Sequence, residues 1–290
     1  MTFTKVACMC MRLMRNKKLT NILKAPETEK KIFDLSSYFS DLVKLATEEL
    51  NSNFAVRQLS KLPRSIELLP TDPRQLSSYR TRIGTMLEYA MCTSINKILE
   101  KRYGDELFLT FVSAHQYPDF HLRNKKREIL ARIEMKAIDA ESDEQAARFD
   151  VSTHLINPEK DLLLIIGWSW QDITGKKGEK IAESPRIFAS LVIPAGELAK
   201  ERDERLKITG GKIEKGEVFV YSKKSNKFVP DPGNYGKFWR IIHRSRLTQA
   251  KPSSTVTAFM AFLEQVDKLA PRKRFNIEKV EDDADEEVIG

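Results

Sequence analysis

Several features are scarce or missing in this sequence of 290 residues, and each scarcity argues against a class of protein. Cysteine occurs three times, which argues against a disulfide framework and favours a reducing compartment. No apolar stretch approaches the roughly 20 residues that a membrane-spanning helix requires. No glycine-rich phosphate loop occurs, and no histidine or cysteine has the spacing of a zinc site. We therefore expect a cytoplasmic protein that has no membrane partner.

Positive charge exceeds negative charge in this sequence. The formal net charge is +8, although the last ten residues hold six acids and no base. Removing those six negative charges leaves +14 on the rest of the chain. A surplus of this size attracts polyanions, so we expect nucleic acid to be the partner. Hydrophobic residues at 41% and charged residues at 31% are typical of a folded globular protein.

The order of helical and strand patterns is typical of an α/β domain. Apolar residues recur at helical spacing from 30 to 51 and again from 76 to 102, where Gly104 ends the second pattern. The continuous apolar run at 161–170 predicts a central strand that is buried on both faces. The remaining patterns predict further strands at 107–112, 186–194, 207–213, 217–222 and 237–243, a charged helix or loop at 195–206, and a closing helix at 255–270.

The fold class that we predict is α/β, with a mixed central sheet flanked by helices and an N-terminal helical portion. Three proline residues between 63 and 73 punctuate a connector and separate the first helical pattern from the rest. The predicted divisions are an N-terminal helical portion at 1–75, a core at 76–250, a C-terminal helix at 251–272 and an acidic, disordered tail at 273–290.

One predicted strand alternates between apolar and charged residues. Its apolar residues fall on one face, namely Ile129, Ala131, Ile133, Met135 and Ala137. Glu134 and Lys136 therefore lie side by side on the other face. A turn near residues 126 and 127 would place the preceding segment antiparallel to this strand and bring Asp119 opposite Glu134. The pattern predicts a hairpin that joins two acids and a lysine.

Two carboxylates on opposed positions of a hairpin repel each other unless a positive charge lies between them. Their separation would be about 5 Å between the Cβ atoms. A hard divalent cation such as Mg²⁺ takes oxygen ligands and suits such a pair. A neighbouring lysine can orient an attacking water or stabilise the charge that develops on a phosphate during hydrolysis. The pattern therefore indicates phosphodiester hydrolysis.

These residues resemble a known family. Pro118-Asp119 followed by Glu134-Met135-Lys136 is similar to the PD-(D/E)xK motif of type II restriction endonucleases and related DNA nucleases. The motif match covers about fifty residues, 84–136, and the order of predicted elements extends the resemblance to about residue 170. The family places the first acid and the E-x-K segment on adjacent strands, and often adds another acid from an earlier helix.

The resemblance implies the role of each site residue. Asp119, Glu134 and the backbone carbonyl of Met135 would bind Mg²⁺. Lys136 would act on the attacking water. Glu88, from the helix that precedes the strands, would either bind a water linked to the metal or hold Lys136.

The function that the resemblance implies is a Mg²⁺-dependent type II restriction-like endonuclease that cuts double-stranded DNA at a short site as a homodimer, since two-fold symmetry matches a palindrome. One alternative is a repair, recombination or junction-resolving nuclease with the same motif. Another is a non-catalytic basic DNA-binding protein in which the charged residues form a surface salt-bridge ladder. The basic residues that we expect to contact DNA are Lys125, Lys126 and Arg127 at the hairpin tip, and Arg240 and Arg244 nearer the C-terminus.

Overall fold

The computed structural model describes residues 19–26, 28–57, 73–112, 116–141, 147–174, 178, 180–231 and 233–269. The predicted basic N-terminal segment, the proline-containing connector and the acidic tail at 273–290 lie outside these described residues. The chain divides into two compact units. The first comprises residues 1–137 and 157–194, and the second comprises 138–156 and 195–290.

Two long helices begin the first unit. Helix α1 spans Glu29–Arg57 and helix α2 spans Pro73–Tyr103. They pack against each other, and the hydroxyl groups of Tyr38 and Tyr103 lie 2.7 Å apart. Gly104 follows α2 with a φ of 64°, a backbone conformation that favours glycine at a helix end. The two predicted helical patterns are therefore confirmed.

A mixed five-stranded sheet forms the centre of the first unit. Its strands lie in sequence order: β1 (Leu107–Phe111), β2 (Phe120–Asn124), β3 (Ile129–Asp139), β4 (Asp161–Thr174) and β5 (Lys180–Pro194). Antiparallel pairs join β1 to β2, β2 to β3, and β4 to β5. Residues 161–168 of β4 are buried without interruption, which confirms the strand predicted to be covered on both faces. The α/β class with helices flanking a mixed sheet is confirmed as well.

Side-chain amides from the helices satisfy backbone groups on both edge strands of this sheet. Asn96 of α2 accepts a hydrogen bond of 2.6 Å from the N–H of Leu109 and donates one of 2.9 Å to its carbonyl. Asn51 of α1 pairs in the same way with Ile187 of β5, at 2.9 Å and 2.7 Å. An edge strand otherwise leaves such groups open for pairing with another chain. The two amides tie the helices to the sheet and fix their position.

The second unit is built from three helices and a small sheet. The helices are α3 (Ala195–Ile208), α4 (Phe238–Leu247) and α5 (Ser254–Leu269). The small antiparallel sheet has the order β6 (Lys212–Glu214), β7 (Glu217–Ser222) and β8 (Lys227–Pro230). Helix α3 contacts both α4 and α5, and the rings of Phe238 and Phe259 meet edge to face with centroids 5.0 Å apart. A short 3-10 helix, Thr153–Leu155, contacts α3.

Two predictions for this unit are wrong. Residues 237–243 were expected to form a strand, but helix α4 occupies them. Its buried residues recur at helical spacing, at Phe238, Ile241, Ile242 and Ser245. The strand expected at 207–213 is confined to Lys212–Glu214. The preceding residues end α3, where Gly210 takes a φ of 90° and the N–H of Gly211 bonds to the carbonyl of Leu206.

None of the helices in the described part of the chain is long and apolar enough to cross a membrane.

Candidate active site

The hairpin of β2 and β3 carries the predicted acids. Phe120 pairs with Ile133, and the same register continued by one residue puts Asp119 opposite Glu134. The N–H of Met135 donates a hydrogen bond of 2.7 Å to Oδ2 of Asp119. The turn of the hairpin lies at residues 125–126. The residue that follows it, Arg127, has a φ of 67°. The predicted hairpin is therefore confirmed, and its observed pairing ends at Phe120 and Ile133, next to Asp119 and Glu134.

Glu134 and Lys136 form an ion pair on one face of β3. Nζ of Lys136 donates to Oε1 of Glu134 at 2.6 Å. Only 7% of the Glu134 side chain is exposed, against 29% of the Lys136 side chain. The alternate residues Ile133 and Met135 are buried in the hydrophobic core of the first unit. The strand therefore packs its apolar face into the core, while on the other face Glu134 is buried and the Lys136 side chain stays partly exposed.

Glu88 reaches the same group of charges from α2. It follows Leu87, which is fully buried, along the helix. Burial raises the pKa of Glu88 to about 7, the carboxylates of Asp119 and Glu134 raise it as well, and Lys136 lowers it. Glu88 therefore lies within electrostatic range of Asp119, Glu134 and Lys136. The structure therefore brings together all four side chains that the sequence singled out.

Asp119 and Lys136 show the same mutual influence. Burial raises the pKa of Asp119, although the N–H of Met135 and the ammonium of Lys136 oppose that rise. Burial acts to lower the pKa of Lys136, but Glu134, Asp119 and Glu88 outweigh it, so the pKa lies above its ordinary value. Lys136 is therefore a fixed positive charge and hydrogen-bond donor at neutral pH.

The donor atoms at this hairpin are oxygens, which is the ligand type that Mg²⁺ takes. No group of three or more His, Cys, Asp or Glu side chains poised to hold a metal occurs among the described residues. Mg²⁺ commonly binds through one or two carboxylates and completes its shell with water and substrate phosphates. Asp119, Glu134 and the carbonyl of Met135 supply such oxygen atoms. Three acids face a single lysine here, and a divalent cation would balance the excess negative charge.

A buried carboxylate that the sequence did not single out supports this hairpin. Asp161, the first residue of β4, is fully buried and binds Arg132 of β3 through both carboxylate oxygens. It also accepts hydrogen bonds from the hydroxyl of Tyr117 at 2.6 Å and from the N–H of Asn157 at 2.9 Å. The guanidinium of Arg132 lies 5.4 Å from the ring centroid of Tyr117.

Through Asp161, this network links β3 to the segment that immediately precedes β2, and the candidate metal ligands lie on these two stretches of chain. Tyr117 precedes Asp119 by two residues, and Arg132 precedes Glu134 by two residues on the same strand face. Asp161 therefore holds one side chain next to each of the two candidate ligands, Tyr117 near Asp119 and Arg132 near Glu134. The alternation of β3 placed Arg132 on this face, but no pattern in the sequence marks Asp161 as its partner.

The predicted DNA-contacting residues fall into two groups. Lys125, Lys126 and Arg127 are exposed at the hairpin turn, and Lys125 pairs with Asp105 at 2.9 Å. Arg240 and Arg244 lie on helix α4 of the second unit rather than on a strand. The guanidinium of Arg244 donates to the carbonyl of Tyr235 at 3.4 Å, and burial lowers its pKa. Lys125 is thus engaged by an acid and Arg244 by a carbonyl of its own unit, while the side chains of Lys126 and Arg127 are exposed.

No protein-family model matches this sequence, and no curated protein is significantly similar to it.

Proposed function

We propose that this protein is a Mg²⁺-dependent DNA endonuclease that uses Asp119, Glu134 and Lys136, with Glu88 as an additional acid. The observation that carries the proposal is the hairpin itself. In it, the backbone N–H of Met135 donates to the Asp119 carboxylate, and Lys136 donates to Glu134. Two acids and a lysine in this arrangement match the needs of phosphodiester hydrolysis, which are a cation site and a positive group beside it.

Each residue has a role in this proposal. Asp119, Glu134 and the carbonyl of Met135 would hold the cation, and a cation bound there would supply polarisation of the scissile phosphate and a lowered pKa of bound water. Lys136 remains protonated because the surrounding carboxylates raise its pKa. Its ammonium donates hydrogen bonds to the attacking water or to the phosphate oxygens. The hydrogen bond from Met135 holds the Asp119 carboxylate toward β3.

The proposal extends to a restriction-endonuclease-like fold and to site-specific cleavage of duplex DNA. In support of this extension, the E-x-K segment lies on β3 and Asp119 immediately precedes the neighbouring strand β2. The charge of +14 outside the acidic end favours a polyanionic substrate. A homodimer would match the two-fold symmetry of a palindromic site.

A cleavage assay on supercoiled plasmid tests this function. The native protein is incubated with plasmid and Mg²⁺, and a parallel reaction contains EDTA. Discrete linear fragments with Mg²⁺ and none with EDTA are the expected result. Nicking, or cutting restricted to branched DNA, would contradict the restriction role and support a repair or junction-resolving nuclease. Binding of DNA without any cleavage would contradict the nuclease and support a non-catalytic DNA-binding protein.

A further inference from the structure

The small sheet of the second unit carries aromatic side chains on one face. Phe219 and Tyr221 are two residues apart on β7, so they lie on the same side of the sheet. The strand register puts Phe228 of β8 opposite Tyr221, and Lys212 of β6 opposite Phe219. We call these four residues the aromatic face. Three aromatic rings and one lysine are thus gathered on a sheet of three short strands.

Two of the three rings of the aromatic face are open to solvent, and Phe219 is half-buried. Tyr221 and Phe228 are each 43% exposed, and their ring centroids lie 5.5 Å apart in an edge-to-face arrangement. Nζ of Lys212 lies 4.4 Å from the centroid of Phe228 and 5.7 Å from that of Phe219. The hydroxyl of Tyr221 donates to Asn226 at 2.9 Å, which holds the ring in place. Grouped aromatic surface that folding leaves exposed is typical of an interaction site.

The charge beside these rings is positive. The segment 218–230 contains three lysines, Lys223, Lys224 and Lys227, all exposed, and it contains no acid. The two acids of the sheet, Glu214 and Glu217, lie at its opposite end, next to the turn between β6 and β7. Glu214 is itself paired with Lys212 at 2.8 Å. A partner of the aromatic face should therefore be negatively charged and should also present flat apolar surfaces.

We propose that the aromatic face binds single-stranded nucleic acid. Unpaired bases stack on Tyr221 and Phe228, while the lysines of the turn at 223–227 contact phosphates. Every base has a π-face, so stacking on rings requires no particular sequence, and a basic groove that follows the backbone supplies the remaining affinity. Bases in an intact duplex are stacked on each other and do not offer their faces. The inference goes beyond the proposed nuclease activity, because it concerns binding in the second unit.

Binding to a labelled oligonucleotide tests the proposal. The full chain is titrated in EDTA against a mixed-sequence single strand of about 20 nucleotides, with fluorescence anisotropy as the readout. Tyr221→Ala and Phe228→Ala are each expected to weaken binding about tenfold. The control variant is Phe33→Ala, because Phe33 is a ring of comparable exposure, 41%, on helix α1. It should bind like the native protein. EDTA prevents cleavage, so the result does not depend on whether the nuclease proposal holds.

A second strand of equal length that carries abasic sites instead of bases separates stacking from charge. The native protein should bind it at least tenfold more weakly than the intact strand, whereas the double variant Tyr221→Ala/Phe228→Ala should bind both strands alike. Exchange of Lys223 and Lys224 for Gln should lower the slope of log K against log salt by about 1.4, since each phosphate contact on a single strand contributes about 0.7.

Three results would overturn the proposal. The first is that the ring variants bind the intact strand as tightly as the native protein. The second is that the native protein makes no distinction between intact and abasic strands, which is informative even if a variant fails to fold. The third is that vesicles containing phosphatidylserine bind the native protein in a ring-dependent manner while the single strand does not bind, which would identify a lipid surface.

Discussion

Replacing Glu88 by Gln is expected to change how stability depends on pH. The pKa of Glu88 is about 7 in the folded protein, against an ordinary value of 4.5. Between these two values the folded state binds more protons than the unfolded state, so the free energy of unfolding falls as the pH rises, and the penalty is complete above pH 7. The full difference corresponds to at most about 3 kcal/mol, and we expect about 1–2 kcal/mol because the side chain is partly exposed and screened by solvent.

The measurement is urea unfolding in EDTA at about pH 5 and about pH 8. The native protein should lose more stability between these two pH values than Glu88→Gln does, and the difference should be about 1–2 kcal/mol. The control variant is Glu100→Gln, at an exposed position of the same helix. It should keep the native pH dependence. Equal pH dependence in native protein and Glu88→Gln would refute the raised pKa of Glu88 that its burial near the other carboxylates causes. At the higher pH, Mg²⁺ should restore part of the lost stability in the native protein.

Three further predictions address the support of the site and its contact with DNA. Asp161→Asn leaves the Arg132 guanidinium without its charged partner and should lower the free energy of unfolding by on the order of 3 kcal/mol; a loss below about 1 kcal/mol in urea unfolding would contradict this role. Asn96→Leu leaves the N–H and the carbonyl of Leu109 without their side-chain partner, and it should lower the free energy of unfolding by about 2 kcal/mol, measured in the same way. Exchange of Lys126 and Arg127 for Gln should weaken duplex binding in EDTA and reduce its salt slope by about 2, and an unchanged slope would place DNA elsewhere.

The sequence allowed the hairpin of the candidate site to be predicted, because its signals are local. Strict alternation from Ile129 to Ala137 defines the two faces of β3, and the polar residues near 125 mark the turn. Together they set the register that brings Asp119 opposite Glu134. Glu88 could be predicted as well, since its position next to Leu87 on a long amphipathic helix places it at the edge of the buried face.

Other features depend on contacts between residues that are far apart in sequence. Asp161 lies 29 residues after Arg132, and their pairing requires β3 and β4 to be neighbours in the sheet. Nothing local reveals that neighbourhood. The error at α4 has a different cause. Its short run of aromatic and β-branched residues suits either a strand or a buried helix, and periodicity over so few residues does not separate the two.

The most direct test of the proposed site is cleavage by Lys136→Ala at saturating Mg²⁺, measured together with DNA binding in EDTA. The variant should cut plasmid at least about a hundredfold more slowly than the native protein, because it lacks the donor that stabilises developing charge. Its affinity for DNA should stay close to the native value. Lys101→Ala, at an exposed position on α2, serves as the control and should cut at the native rate. Undiminished cleavage by Lys136→Ala would contradict the site proposed here.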